Sequence, residues 1–184
     1  MRKRLGIMCS GNGTNFENIV TNQLCKHHEV VLMVYNTKKC GAVKRATKYG
    51  IPHVRVRHKN EDEMIKLFEV YNVDLIILAG YMRVLKNPSA FPCPIINVHP
   101  SLLPKYKGLH AVEQAMESGD KITGCTVHYV NEELDSGEII KQAEVPIFEN
   151  DTVEELTQRI QREEYRILPE VIDSLPWKDT KQEF

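Results

Sequence analysis

Two side chains able to donate hydrogen bonds or move protons stand two residues apart in "IINVHPSLLPKYKGLH" (95–110). They are Asn97 and His99, at the end of an apolar run that is followed by Pro100 and Pro104. Residues i and i+2 of a strand project to the same face. An amide and an imidazole would therefore point together, from backbone that the prolines hold still. Such a pair suits a general acid or a donor to a developing oxyanion. It equally suits a structural His–Asn hydrogen bond, and the pair alone does not choose. Asp135, in the turn "EELDSG" just before Ser136 and Gly137, is a carboxylate that a tight turn can aim inward as a partner for His99. Its neighbours Glu132, Glu133 and Glu138 are expected on a solvated face.

Two further places carry chemical potential. "SGNGTN" (10–15) is a glycine turn ahead of a helical pattern. Glycines let backbone approach a ligand, and a helix N-terminus presents free N–H groups to an anion. No Lys-Ser/Thr follows, so it is not a Walker loop; Phe16 replaces the third glycine of a dinucleotide fingerprint. Asn36 also ends the second strand where a ribose-binding acid would stand. The phosphate of a small substrate suits this turn better than a dinucleotide, and a plain tight turn is the alternative. On the last helical pattern, Val153, Leu156, Ile160, Ile167 and Val171 form an apolar stripe with Glu164 near its centre. A carboxylate there must find a partner, face a cleft or snorkel to the edge, because burying it unpaired is costly.

The elements that would position these groups alternate. Strands are expected at 4–10, 29–36, 52–57 and 73–80, with helices at 14–24, 41–50 and 61–71. "VDLIILAG" (73–80) is continuously apolar, as strands covered on both faces of a parallel sheet are. The class is α/β, a doubly wound, mostly parallel sheet. The second half changes character: strands at 124–131 and 137–148 flank the acidic turn and add an antiparallel or mixed part. A helix from about Thr152 to Leu175 closes the chain, with Asp151 as N-cap, Glu154 in capping-box position, and Pro169 as a kink or restart.

Composition narrows the function classes. The 184 residues suit one domain, and 42% hydrophobic with 27% charged residues is ordinary for a soluble globular chain. A net charge of −1 gives no whole-chain pull toward nucleic acid or membranes, so an anion site must be built locally. No apolar run approaches the roughly 20 residues of a membrane span. The opening "MRKRLGIMCSGNG" reads as a first strand in a cytoplasmic protein. Five cysteines, none at C-x-x-C spacing, suggest reduced thiols packed as small hydrophobes and no metal site.

Taken together, the segments resemble the phosphoribosylglycinamide formyltransferase family of purine synthesis. The likeness rests on "SGNGTN", "LAGYMRVL" (78–85), "NVHPSLLPKYKGLH" (97–110), "GCTVHYVNEELDSG" (124–137) and "QREEYRILP" (161–169). It implies a Rossmann-like formyltransferase fold in one domain over 1–184, with a phosphate-binding βα half (1–100) and a folate and catalytic half (101–184). It implies 10-formyltetrahydrofolate as co-substrate, glycinamide ribonucleotide as acceptor, no metal, and a monomer or homodimer. By motif position Asn97, His99 and Asp135 match the catalytic trio. Gly13, Thr14 and Asn15 match the phosphate site, and Glu164 the contact to the ribonucleotide. Met82, Arg83, Val84 and Leu85, with Asn97, match the folate segment; His110 and His128 match active-site neighbours. The likeness also implies a cis Leu103–Pro104 peptide. The family's arginine toward the folate's glutamate tail has no aligned equivalent; Arg57 and Lys59 are the nearest cations. A deformylase-like hydrolase and a non-catalytic phosphometabolite-binding module are the alternatives. The family's deformylases carry an added N-terminal domain, and its tRNA-directed members a C-terminal one; here the last helix is followed only by "LPWKDTKQEF". A nicotinamide-dependent oxidoreductase is disfavoured by Phe16 and Asn36.

Overall fold

The structure is a computed structural model that describes residues 2–176. Residues 177–184, which hold most of the closing "LPWKDTKQEF" segment, lie outside the described residues. Seven strands form one sheet: β1 (Arg4–Cys9), β2 (Glu29–Tyr35), β3 (His53–Arg55), β4 (Leu75–Leu78), β5 (Ile95–His99), β6 (Ile122–Tyr129) and β7 (Ile139–Pro146). Their order is β3-β2-β1-β4-β5-β6-β7. The first five run parallel, and β6 and β7 are added antiparallel, as the change of pattern after residue 100 implies.

Helices cover both faces. On one side α1 (Thr14–Thr21), α2 (Ala42–Lys48), α4 (Ala111–Glu117) and α5 (Val153–Ser174) pack over Leu5, Ile7, Met33 and Ile77. On the other, α3 (Glu61–Val70) seats Met64 and Phe68 against Met8, Leu32, Val34 and Ile76. The alternation of Ile7 and Met8 between the two cores is the period of a strand buried on both faces. Gly6 belongs to this packing, since a Cβ there would lie 2.6 Å from the Phe68 ring. All five cysteines are buried and unpaired.

Three local expectations need correcting. The N-cap of α5 is Thr152 rather than Asp151, with Glu155 rather than Glu154 completing the capping box. The Asp151 carboxylate is already taken, by a bidentate pair with Arg159 at 2.7 Å and by the Phe148 N–H. Pro169 lies inside an unbroken α5. A proline frees the carbonyl four residues back, and here Asn18 Nδ2 donates to the Tyr165 carbonyl at 2.9 Å. A partner from α1 thus satisfies the group that would otherwise favour a break. The short helix α4 was not anticipated at all. Leu103–Pro104 is cis, as the family likeness implies.

The chain leaves β1 for β2 and β3 on one side and returns to β4 on the other, so the loops after β1 and β4 meet above the sheet. Ser10 N–H bonds the Gly80 carbonyl at 3.1 Å, and Met82 N–H bonds Ser10 Oγ at 2.9 Å. Such a reversal point, outside the carboxyl ends of the strands, is where open α/β sheets bind ligands.

Candidate active site

Asn97 and His99 occupy the carboxyl end of β5, and antiparallel pairing sets them opposite His128 and Thr126 of β6. His99 is buried and its Nε2 lies 2.7 Å from the Tyr106 carbonyl. A carbonyl only accepts, so Nε2 carries the hydrogen and Nδ1 is the nitrogen left for chemistry. Nδ1 faces Asp135, with Oδ2 at 3.6 Å. Asp135 is aimed by a left-handed backbone (φ 48°), a conformation aspartate tolerates better than most residues. Its Oδ2 accepts the Gly108 N–H at 2.7 Å, and its side chain is 8% exposed.

His128 is held in the opposite tautomer. Its Nδ1 lies 2.8 Å from the Tyr129 carbonyl and therefore carries the hydrogen, so Nε2 accepts from Asn97 Nδ2 at 3.2 Å. Burial, the largest influence on His128, lowers its pKa below the ordinary histidine value and keeps it neutral near pH 7. Its Nε2 is 3.9 Å from Asp135 Oδ1, which joins the four side chains into one cluster. His110, by contrast, is exposed and pairs with Glu113 at 3.7 Å, so no bond gathers it to the cluster.

The loop between β5 and α4 is braced from a residue that sequence reasoning missed. Thr126 Oγ1 donates to the Ser101 carbonyl at 2.7 Å and accepts from Leu103 N–H and Gln142 Nε2. Gln142 also donates to the Leu103 carbonyl at 3.0 Å. Tyr106, at φ 56°, is anchored by its hydroxyl on Asp120 at 2.7 Å while its carbonyl serves His99. Only the i, i+2 spacing of Thr126 and His128, parallel to that of Asn97 and His99, hinted at this.

The glycine turn is held from α2. Ala42 N–H bonds the Gly11 carbonyl at 3.0 Å, and Arg45 Nε bonds the Asn12 carbonyl at 2.7 Å while its guanidinium pairs with Glu17. Gly13 is the α1 N-cap at φ 73°, where a Cβ would stand 2.5 Å from Ala42 Cβ. No side chain caps α1, which leaves its first-turn N–H groups for an anion. Asn15 Nδ2 reaches Glu164 Oε2 at 3.3 Å. Glu164 is buried on the apolar face of α5, and burial, barely offset by Asn15, raises its pKa to about 7. In the loop after β4, Met82, Arg83 and Val84 are exposed and present two apolar side chains to solvent, whereas Leu85 turns into the α3-side core with Tyr81 and Phe91. Glu61 ties this loop to the start of α3 by accepting Lys86 N–H at 2.6 Å.

A second imidazole cluster, His27, His28 and Asp173, lies near the amino end of β1. Lys3 N–H donates to His28 Nδ1 at 3.1 Å, so its Nε2 carries a hydrogen toward Asp173, 3.6 Å away, and offers no lone pair to a metal.

Residues 3–172 match the family model described as formyl transferase. The chain belongs to the formyl transferase family. It is 39% identical over 184 residues to the phosphoribosylglycinamide formyltransferase of Bacillus subtilis, covering 94% of each chain. It is 41% identical over 187 residues to the trifunctional purine biosynthetic protein adenosine-3 of Drosophila melanogaster, which involves 95% of this chain but only 14% of that protein's length. The solved glycinamide ribonucleotide transformylase 1 of Symbiobacterium toebii superposes with a TM-score of 0.88 at 39% identity, over 94% of this chain and 86% of that one. The family and the Rossmann-like sheet agree with the expectation from sequence.

Proposed function

We propose that this chain transfers the formyl group of 10-formyltetrahydrofolate to the primary amine of N1-(5-phosphoribosyl)glycinamide, as one cytoplasmic domain of purine biosynthesis. The observation that carries the reading is the convergence of Asn97, His99 and Asp135 at the carboxyl end of β5, in a member of this transferase family. In the reaction the amine nitrogen attacks the formyl carbon, the carbonyl oxygen takes on negative charge, the bond to the folate nitrogen breaks, and the amine proton ends on that nitrogen.

Each protein group has a part. With Nε2 committed to Tyr106, His99 meets the reacting centre through Nδ1, which donates to the oxyanion when protonated. Asp135, 3.6 Å from Nδ1, assists proton movement from amine to leaving nitrogen. Asn97 keeps one amide hydrogen on His128 and has its second for the oxyanion. The glycine turn at Gly13, Thr14 and Asn15 holds the acceptor's phosphate and supplies orientation, with Glu164 beside the ribose. Met82 and Val84, flanking Arg83, offer the apolar contact surface for the folate ring system.

The test is formyl transfer by the purified protein, with and without acceptor, beside Asp135→Asn. Expected is acceptor-dependent transfer that falls on the order of 10²–10⁴-fold in the variant while both ligands still bind. Loss of formyl without acceptor would identify a hydrolase instead, and near-normal turnover in the variant would remove Asp135 from the mechanism.

A further inference from the structure

Glu164 is a carboxyl group on the apolar face of α5, 7% exposed, between Ile160 and Ile167 of the core. Its one hydrogen bond is a long contact, 3.3 Å, from the Asn15 amide. Among the described residues no Lys, Arg or His pairs with it. On β6 the buried thiol of Cys125 is pushed up to about 12, by burial first and then by the Glu164 charge, and stays neutral. Along α5 its charged neighbours are Glu163 and Arg166, which bond each other at 2.8 Å. Glu17 of α1 is held by Arg45 and Tyr49, Lys141 of β7 by Glu170, and Glu113 of α4 by His110. An ionised carboxylate in this setting would be buried without compensation. The Asn15 amide that touches it also leaves its own Oδ1 buried and without a donor. The pair thus lacks a hydrogen that either a neutral carboxyl or an incoming hydroxyl can supply.

We propose that Glu164 holds a proton in the ligand-free enzyme and releases it to solvent when the hydroxyls of the acceptor's ribose dock, coupling acceptor capture to proton release. This rests on the reading above in which the neighbouring turn takes the acceptor's phosphate. Asn15 belongs to that turn and touches Glu164, so a ribose carried on the phosphate lies against this pair. Two hydroxyl donors replace the carboxyl's own hydrogen, and the carboxylate becomes the acceptor both require. Burial, opposed by the Asn15 hydrogen bond, raises the carboxyl to about 7 in the free state, within reach of such a change.

The side-chain carboxyl carbon of Glu164, followed by ¹³C NMR on the whole protein and assigned by Glu164→Gln, tests this directly. The free enzyme should show Glu164 protonated at pH 6 and titrating near pH 7. An ordinary carboxylate titration in the free protein overturns the proposal with no ligand involved. Saturating glycinamide ribonucleotide at pH 6 should then shift the resonance to its ionised position. Calorimetry in buffers of different ionisation heat should show about one proton more released by the wild type than by Glu164→Gln. Binding without that shift also overturns the proposal. Failure of the ribonucleotide to bind at all sinks the acceptor assignment, and with it this coupling, while a protonated Glu164 in the free protein would still separate the two failures. Acceptor affinity, relative to the Gln variant, should weaken about tenfold for each pH unit below 7.

Discussion

The buried carboxyl also makes a stability prediction that needs no substrate. Glu164→Gln keeps the side chain's shape and removes its charge. The native pKa of about 7 stands above the ordinary 4.5, so the folded state binds this proton more tightly than the unfolded chain does. The sign follows: Glu164 weakens the fold as pH rises from about 4.5 to 7, and its stabilising contribution is complete only below the unfolded value. The gap corresponds to ~3 kcal/mol, an upper figure because water entry and relaxation reduce it. Wild type and Glu164→Gln should therefore unfold at similar urea concentrations at about pH 4, below the unfolded value. At pH 8.5 the Gln protein should be the more stable, by on the order of 1–3 kcal/mol. Curves that stay parallel across this range would show that the native carboxylate is solvated or paired, and the account of its burial would be wrong.

Two other predictions concern the elements around it. Asn18→Ala leaves the Tyr165 carbonyl, freed by Pro169, without its donor, and should cost about 1–3 kcal/mol in urea unfolding. The loss should shrink when Pro169→Ala restores the helical N–H, and an equal loss in both backgrounds would refute the pairing. Gly13→Ala places a Cβ 2.5 Å from Ala42 and strains a left-handed backbone by ~1–2 kcal/mol. Acceptor KM should rise at least about tenfold with a smaller change in kcat, and an unchanged KM would move the phosphate elsewhere.

What sequence made legible was periodic or local. The alternation of apolar runs with helical patterns yields the sheet, and the switch to antiparallel pairing appears where "GCTVHYVN" and "GEIIKQAEVPIF" flank a short turn. Glu164 was found because a 3.6-residue period places it among Ile160 and Ile167. Asp135 was found because a Ser-Gly pair follows it. What escaped was set by distant partners. Asn18 stabilises a helix interior that Pro169 alone would seem to break, and Arg159 occupies the carboxylate that looked like a cap. Thr126 looks like any β-branched strand residue until its hydroxyl is seen to hold two groups of a loop 23–25 positions earlier. α4 begins at His110 in a left-handed conformation with no side-chain cap, so the usual start signal is missing. That same conformation leaves His110 exposed, outside the cluster its motif position suggested.

The division of labour between the two buried histidines follows from backbone carbonyls rather than from the side chains themselves. His99 and His128 lie on adjacent antiparallel strands, 3.6 and 3.9 Å from the same Asp135 carboxylate, and have the same intrinsic chemistry. The Tyr106 carbonyl fixes the hydrogen of one on Nε2, and the Tyr129 carbonyl fixes that of the other on Nδ1. The first ring is left with a titratable nitrogen facing the carboxylate; the second is left with a lone pair facing Asn97. A protonated His128 would repel the Asn97 N–H and favour the flipped amide, turning the oxygen toward the ring, so its lowered pKa protects the orientation of the amide across the neutral range. Tyr106 reaches its place through a left-handed backbone braced by Asp120 and Ser101, and Tyr129 through the β6 register with Glu138. In the proposed mechanism, the loop that the two prolines announce in sequence acts on the chemistry one step removed: it positions a carbonyl, the carbonyl selects a tautomer, and the tautomer decides which nitrogen would reach a reacting atom.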